Sequence, residues 1–116
     1  MKLICYKNCS TCKKVEKTLD EKNISYDKRD IKDENPNRDE LKSWHEQSNL
    51  DIKRFFNTSG KVYRDLNLKE KLLDMSLEEK YDLLSTDGML VKRPIIFTDE
   101  GEIFVGPDAR KYVEDL

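Results

Sequence analysis

Two cysteines three positions apart, Cys9 and Cys12, stand in the stretch "YKNCSTCKK" from Tyr6 to Lys14, with Lys7, Lys13 and Lys14 around them and no acidic residue among them. A pair at this spacing supports three chemistries: a disulfide clasp, half of a metal site, or a working thiol. Cations beside a thiol favour the thiolate, which is the nucleophilic form. If Cys9 lies where a strand gives way to a helix, unpaired N–H groups and the positive end of the helix dipole add to that effect. Lysines in a first helical turn oppose the dipole, so the local sequence breaks a stability rule at the point where a thiolate gains from it. Cys12, one turn further on, is then placed to attack a mixed disulfide formed at Cys9 and release the product. A structural zinc site needs four ligands, and the other candidates are Cys5, inside an apolar run, and His45, far along the chain, so no metal is expected. Covalent haem attachment requires a histidine after the second cysteine, where this chain has Lys13. Cys5 reads as a small buried residue, Trp44, Phe55 and Phe56 as core, and His45 as a surface residue.

The rest of the composition bounds what those thiols can serve. The 116 residues fit one domain with a real hydrophobic core. Twenty-two basic and 24 acidic residues leave a net charge of −2, so no global field points to direct nucleic-acid binding or to an anionic membrane surface. Charged residues make up 40%, with both signs interspersed among recurring Leu, Ile, Val and Phe, as on a solvated globular surface. "MKLICYKN" lacks the apolar core of a signal peptide, and no run of 18 apolar residues occurs, which leads to the expectation of a soluble cytoplasmic protein. In a reducing compartment, three cysteines serve as thiols more readily than as a structural framework.

The elements that must position Cys9 and Cys12 follow from periodicity. Leu3 to Tyr6 reads as a buried strand, and Cys12, Val15 and Leu19 give one apolar face to a helix from Ser10 to Lys22, with Asn23 as its C-cap. Ile24, Tyr26 and Lys28 alternate in a second, edge-like strand. Leu41 and Trp44 lie one turn apart on a helix over Arg38 to Ser48. Leu50 to Leu84 reads as short helices broken at "NTSG" and near Met75, with Leu77, Tyr81 and Leu84 as the clearest face. Strands Ile95 to Thr98 and Glu102 to Val105 flank the hairpin signal "DEG", and a helix closes the chain from Asp108. Strand, helix, strand, helices, hairpin, helix predicts an α/β fold with a mixed four-stranded sheet, thioredoxin-like, with a helical insertion at about 37–90. In that layout a CxxC pair sits where the first strand turns into the first helix, and it is read as a redox motif.

"CSTCKK" after a short strand, "FFNTSGKVYRDLNLKEKL" in the middle, "DGMLVKRPII" before the hairpin and "VG" after it resemble the arsenate reductase and Spx-like family of thioredoxin-fold proteins. The resemblance covers almost the whole chain and implies a glutaredoxin-type thioredoxin fold with Cys9 as nucleophile. It brings Arg93 and Pro94 next to Cys9, and it favours a cis bond between them, where sequence alone gives about 5%. The expected substrate position is lined by Lys7, Asn8, Ser10, Thr11, Lys13, Arg93 and Pro94. An arginine there offers a planar fork of donors to an oxyanion such as arsenate or to a carboxylate of glutathione.

Departures from the pattern bear on activity. Family arsenate reductases carry several arginines around the cysteine, one of them directly before a proline after the last strand; here that place reads Gly106-Pro107, and "FFNTSG" stands where another is expected. Losing two of three clamps weakens oxyanion binding, whereas Cys12 supplies an internal resolver. The expectation is therefore a thiol–disulfide oxidoreductase with Cys9, Cys12 and Arg93 as its catalytic residues. Its substrate is a small thiol, an oxyanion or a protein disulfide, and no cofactor is tightly bound. Glutathione, thioredoxin or glutaredoxin is the expected electron donor. The alternative that the resemblance implies is a redox-switched transcriptional regulator binding the α subunit of RNA polymerase, although such regulators carry a longer basic C-terminal tail.

Overall fold

The computed structural model describes all of residues 1–116, which divide into two units, Met1–Glu34 with Arg93–Leu116, and Asn35–Lys92. In the first unit, strands β1 (Lys2–Cys5), β2 (Asp27–Asp30), β3 (Ile95–Phe97) and β4 (Ile103–Val105) form one sheet in the order β2-β1-β3-β4. β1 pairs parallel with β2, while β3 is antiparallel to both β1 and β4, so the sheet is mixed as expected. The parallel pair requires a crossover, which helix α1 (Ser10–Glu21) provides. The last helix of this unit spans Pro107–Glu114.

Side chains alternate across β1, so Leu3 and Cys5 share one face of the sheet. On that face they join Cys12, Val15 and Leu19 of α1, Ile96 of β3, and Ala109 and Val113 of the closing helix in one core, all wholly buried. Burying each larger aliphatic chain contributes roughly 1.5–3 kcal/mol, which fixes α1 against the sheet and with it the position of Cys9.

α1 ends one residue earlier than its apolar pattern suggests. Lys22 is its C-cap, and Asn23 follows in a left-handed conformation with φ 57°, which asparagine tolerates better than most residues. Lys22 Nζ donates to the carbonyl oxygens of Val113, Glu114 and Leu116 at 2.8, 2.8 and 2.7 Å, closing the C-terminal end of the last helix with a charge that its dipole favours. Lys22→Met is expected to cost about 1–2 kcal/mol, with discounting for partial exposure, visible as a lower urea midpoint at an unchanged slope.

The second unit is helical: α2 (Arg38–Ser48), α3 (Lys61–Asp65), α4 (Leu68–Lys71) and α5 (Leu77–Leu84), with 3-10 turns at Ile52–Phe55, Leu72–Asp74 and Gly88–Leu90. The closing helix of the first unit is accordingly α6. Capping boxes start both long helices of the second unit: Asn37 with Glu40, and Ser76 with Glu79. Arg38 of α2 bridges Glu78 and Asp82 of α5, the latter through Nε at 2.6 Å.

Three expectations need correction here. Leu77 is 43% exposed, because α5 begins there and only Tyr81 and Leu84 in its later part are covered. His45 is half-buried rather than on the surface: its Nδ1 lies 2.5 Å from the Tyr81 hydroxyl, and its ring meets Phe55 edge-on. Trp44 is also only half-buried, while Leu41 one turn earlier fills the core position. No helix is long and apolar enough to cross a membrane.

Candidate functional site

β1 ends at Cys5, and Tyr6 to Asn8 carry the chain to Cys9, whose N–H donates to the Tyr6 carbonyl at 3.0 Å. Cys9 is the N-cap of α1, with φ −90° and ψ 120°, and no acidic residue occupies the first turn. Serine, threonine, aspartate or asparagine normally fills an N-cap, because an oxygen there accepts from the free N–H groups. A cysteine exchanges that cap for a sulfur. The Cys9 sulfur closes no cap hydrogen bond, yet it faces the N–H groups of Thr11 and Cys12, which act as dipoles oriented toward negative charge.

These groups set the acidity of the thiol. Cys9 is half-buried, and its pKa is drawn down to about 5, first by the S–H of Cys12, then by the Cys12 amide, Arg93 and the Thr11 amide, against the opposing effect of burial. Cys12 is wholly buried and held far on the protonated side, because its S–H is shared with the sulfurs of Cys5 and Cys9 and water is excluded from it. The Tyr6 N–H also donates to the Cys12 sulfur, at 3.4 Å. At neutral pH the pair is therefore one thiolate and one thiol, with the thiolate on the more exposed sulfur. None of the three cysteines is joined in a disulfide in this structure.

Arg93 reaches this site from the other end of the chain. It precedes Pro94 through a cis peptide bond, immediately before β3. Its guanidinium carbon lies 5.3 Å from the centroid of the Tyr6 ring, a cation–π arrangement, and its charge acts on Cys9. Pro94 is buried, and its carbonyl accepts from Gly106 N at 2.8 Å. Gly106 has φ 62°, a conformation that disfavours any residue with a side chain, including the arginine of the family pattern.

Of the other residues placed at the substrate position, Lys7, Asn8, Ser10 and Lys13 are exposed and Thr11 is half-buried. Asn8 Nδ2 donates to the Tyr6 hydroxyl at 3.2 Å. Lys7 is directed electrostatically elsewhere: its backbone N–H and its charge both act on Asp30, whose carboxylate also accepts from Lys32 N and Asp33 N at 2.8 and 3.0 Å. Arg93, rather than a neighbouring lysine, is thus the main cationic influence on Cys9.

Two residues were missed by sequence reasoning. Tyr6 holds the site together through its ring, its hydroxyl and its amide, and the available signal was an aromatic residue three positions before Cys9. Cys5 reads as core in the sequence and lies in the core, yet it also packs with Cys12 and bears on that thiol.

A parallel strand–helix–strand start, an antiparallel hairpin preceded by a cis-proline, and a CxxC pair at the N-cap of the first helix define a thioredoxin-like fold with a dithiol site. More particularly, a model of the ArsC family matches residues 5–114, and the chain belongs to that family. It is 48% identical over 101 residues to the "Uncharacterized protein YusI" of Bacillus subtilis, covering 87% of this chain and 85% of that protein. The solved structure of "a possible arsenate reductase" from Streptococcus mutans superposes with a TM-score of 0.85 at 41% identity, over 99% of this chain and 97% of the other. The "Global transcriptional regulator Spx 2" of Bacillus anthracis is 29% identical over 99 residues, 85% of this chain and 73% of the regulator.

Proposed function

We propose that this chain is a dithiol thiol–disulfide oxidoreductase whose preferred substrates are glutathione-mixed disulfides. The observation that carries this reading is the asymmetry of the pair: a stabilised thiolate at the rim on Cys9 and a buried, protonated partner on Cys12. Cys9 attacks the glutathione sulfur, a Cys9–glutathione disulfide forms, and the substrate leaves as a thiolate that takes up a proton. That step removes the negative charge to which the Cys12 S–H was directed, and so frees the proton for transfer to the next leaving group. Cys12 then attacks the Cys9 sulfur, closing the Cys9–Cys12 disulfide and expelling glutathione with the electron pair of the broken bond. Two further glutathione molecules, or a thioredoxin or glutaredoxin, return the pair to dithiol form. Arg93 orients a glutathione carboxylate, a task for which its planar fork of donors is suited.

Arsenate is the weaker candidate, because Arg93 stands without the second arginine that the family pattern places at Gly106. The test is an assay of purified protein with glutathionylated peptide, peptide disulfide and arsenate, each with glutathione or thioredoxin as donor. Turnover of the glutathionylated peptide, lost in Cys9→Ser and with KM raised in Arg93→Ala, is the expected outcome. No turnover of any substrate sinks the enzyme reading.

The match to an Spx regulator favours one second reading: a redox-switched protein that binds the RNA polymerase α subunit. Capture of that subunit by oxidised but not reduced protein, without turnover, would replace the first reading by the second.

A further inference from the structure

The mechanism above leaves one buried nucleophile without a task. Cys5 closes β1 and is wholly buried, as is Cys12 in the first turn of α1. Both belong to the core between the sheet and α1, with Cys9 packed against its edge. The hydrogen bond from the Tyr6 amide to the Cys12 sulfur fixes that sulfur against the peptide linking Cys5 to Tyr6. Cys12 is therefore the shared neighbour of two other cysteines. A residue with a purely filling role could be alanine or valine; a thiol at this place adds a second partner for the resolving sulfur.

We propose that Cys5 is a third redox residue, which takes the disulfide over from Cys9 by attacking the Cys12 sulfur. In this exchange the Cys5–Cys12 bond forms and the Cys9–Cys12 bond breaks. The electron pair of the broken bond leaves on Cys9, and the proton of the Cys5 thiol passes to water or to Cys9. One disulfide and one thiol exist before and after, so no oxidant or reductant is consumed. The inference rests on the dithiol reading, which supplies the starting Cys9–Cys12 disulfide.

Thiol exchange runs fastest when the leaving sulfur is the most acidic one, and Cys9 is that sulfur here. Once Cys12 is oxidised, its S–H no longer supports the Cys9 thiolate, but Arg93 and the amides of Thr11 and Cys12 still do. The product stores the disulfide between two sulfurs that solvent does not reach and returns Cys9 to its reactive form. A chain in that state engages a second disulfide through Cys9 alone, with no internal resolver left to release it. A donor must then reduce the buried bond by way of Cys9, which reverses the exchange.

The sequence makes the pairing directly readable. Cleavage after Lys2, Lys7 and Lys13 separates the Cys5 peptide Leu3–Lys7 from Asn8–Lys13, which carries both other cysteines. Reduced wild-type protein is oxidised with one equivalent of diamide, quenched in acid, alkylated, digested with trypsin and analysed by mass spectrometry. The expected product joins the two peptides, with the alkyl group on Cys9. Oxidised wild-type protein is also expected to keep one rapidly alkylated thiol per chain at pH 6, and Cys5→Ala none. A disulfide confined to Asn8–Lys13, with Cys5 alkylated, overturns the proposal, as does a Cys5–Cys9 link. The mapping needs no variant, so loss of folding in Cys5→Ala leaves it intact. Diamide drives the exchange whether or not a glutathionylated substrate is turned over. Linked peptides without turnover would defeat the reductase reading alone, and turnover with only the Cys9–Cys12 disulfide would defeat the relay alone.

Discussion

Cys9 of the reduced protein is expected to remain alkylation-competent down to about pH 5, where its rate falls to half of the plateau. An unperturbed thiol has a pKa of ~8.5 and is less than ~1% ionised at pH 6, whereas Cys9 is about nine-tenths ionised there. The gain in thiolate, roughly 300-fold, is partly offset because a more acidic thiolate is a weaker nucleophile. With a Brønsted slope of ~0.45, the loss over 3.5 units is roughly 40-fold. A net advantage of about eightfold over the unfolded chain follows at pH 6, rising to about 40-fold at pH 5. Iodoacetamide kinetics on native and urea-unfolded protein measure both ratios; equal rates in the two states at pH 6 would contradict the site. Cys9→Ser removes the fast phase and lowers turnover of the glutathionylated peptide by more than ~1,000-fold, the scale on which loss of a nucleophile acts. Stability follows the same group. Its native pKa lies below the unfolded value, so the reduced protein gains stability as pH rises from about 5 toward 9 and loses it as pH falls through about 5. Cys9→Ser flattens that slope.

Cys12→Ala is expected to change two observables at once. The S–H of Cys12 is the largest influence lowering the Cys9 pKa, so its removal moves the midpoint of Cys9 alkylation upward by more than ~1 unit, or ~1.4 kcal/mol per unit. The same change removes the resolving sulfur, and glutathione delivered to Cys9 stays there, visible in the intact mass. A purely structural role for Cys12 predicts neither the shifted midpoint nor the trapped adduct. Deleting a buried sulfur leaves a small cavity costing about 1–2 kcal/mol, so the circular dichroism spectrum at 25 °C should match that of the wild type. Added glutathione restores turnover, because an external thiol can replace the internal resolver but not the nucleophile.

Much of this arrangement was legible in the residues. Val15 and Leu19 set the face of α1, and that face in turn fixes Cys12 as inward and Cys9 as the rim residue. The hairpin around "DEG" and the crossover from β1 to β2 were readable because turn residues and alternation are local signals. The family resemblance, rather than periodicity, placed Arg93 and the cis bond before Pro94. What the sequence did not disclose is set by contacts between distant residues. The ring of Tyr6 beneath Arg93, the sulfur of Cys5 against Cys12, and the His45–Tyr81 hydrogen bond each join side chains whose neighbours in sequence give no hint of the partner. The exposure of Leu77 belongs to the same class, since its spacing from Tyr81 is that of a buried residue. The lysines near Cys9 were the reverse case: conspicuous in sequence, they leave the main cationic influence to an arginine from the far end of the chain.

The sheet has an open margin at β2, and the four residues there are Asp27, Lys28, Arg29 and Asp30. Lys28 is tied to Glu16 of α1 at 2.8 Å, and Asp30 is occupied by the amides that follow it. An incoming strand would have to approach this run of four charges and disturb those pairs, so the margin discourages edge-to-edge growth of the sheet into aggregates. With a net charge of only −2, the protein has little mutual repulsion to keep copies apart. Protection of this edge therefore comes from four local charges rather than from the charge of the whole.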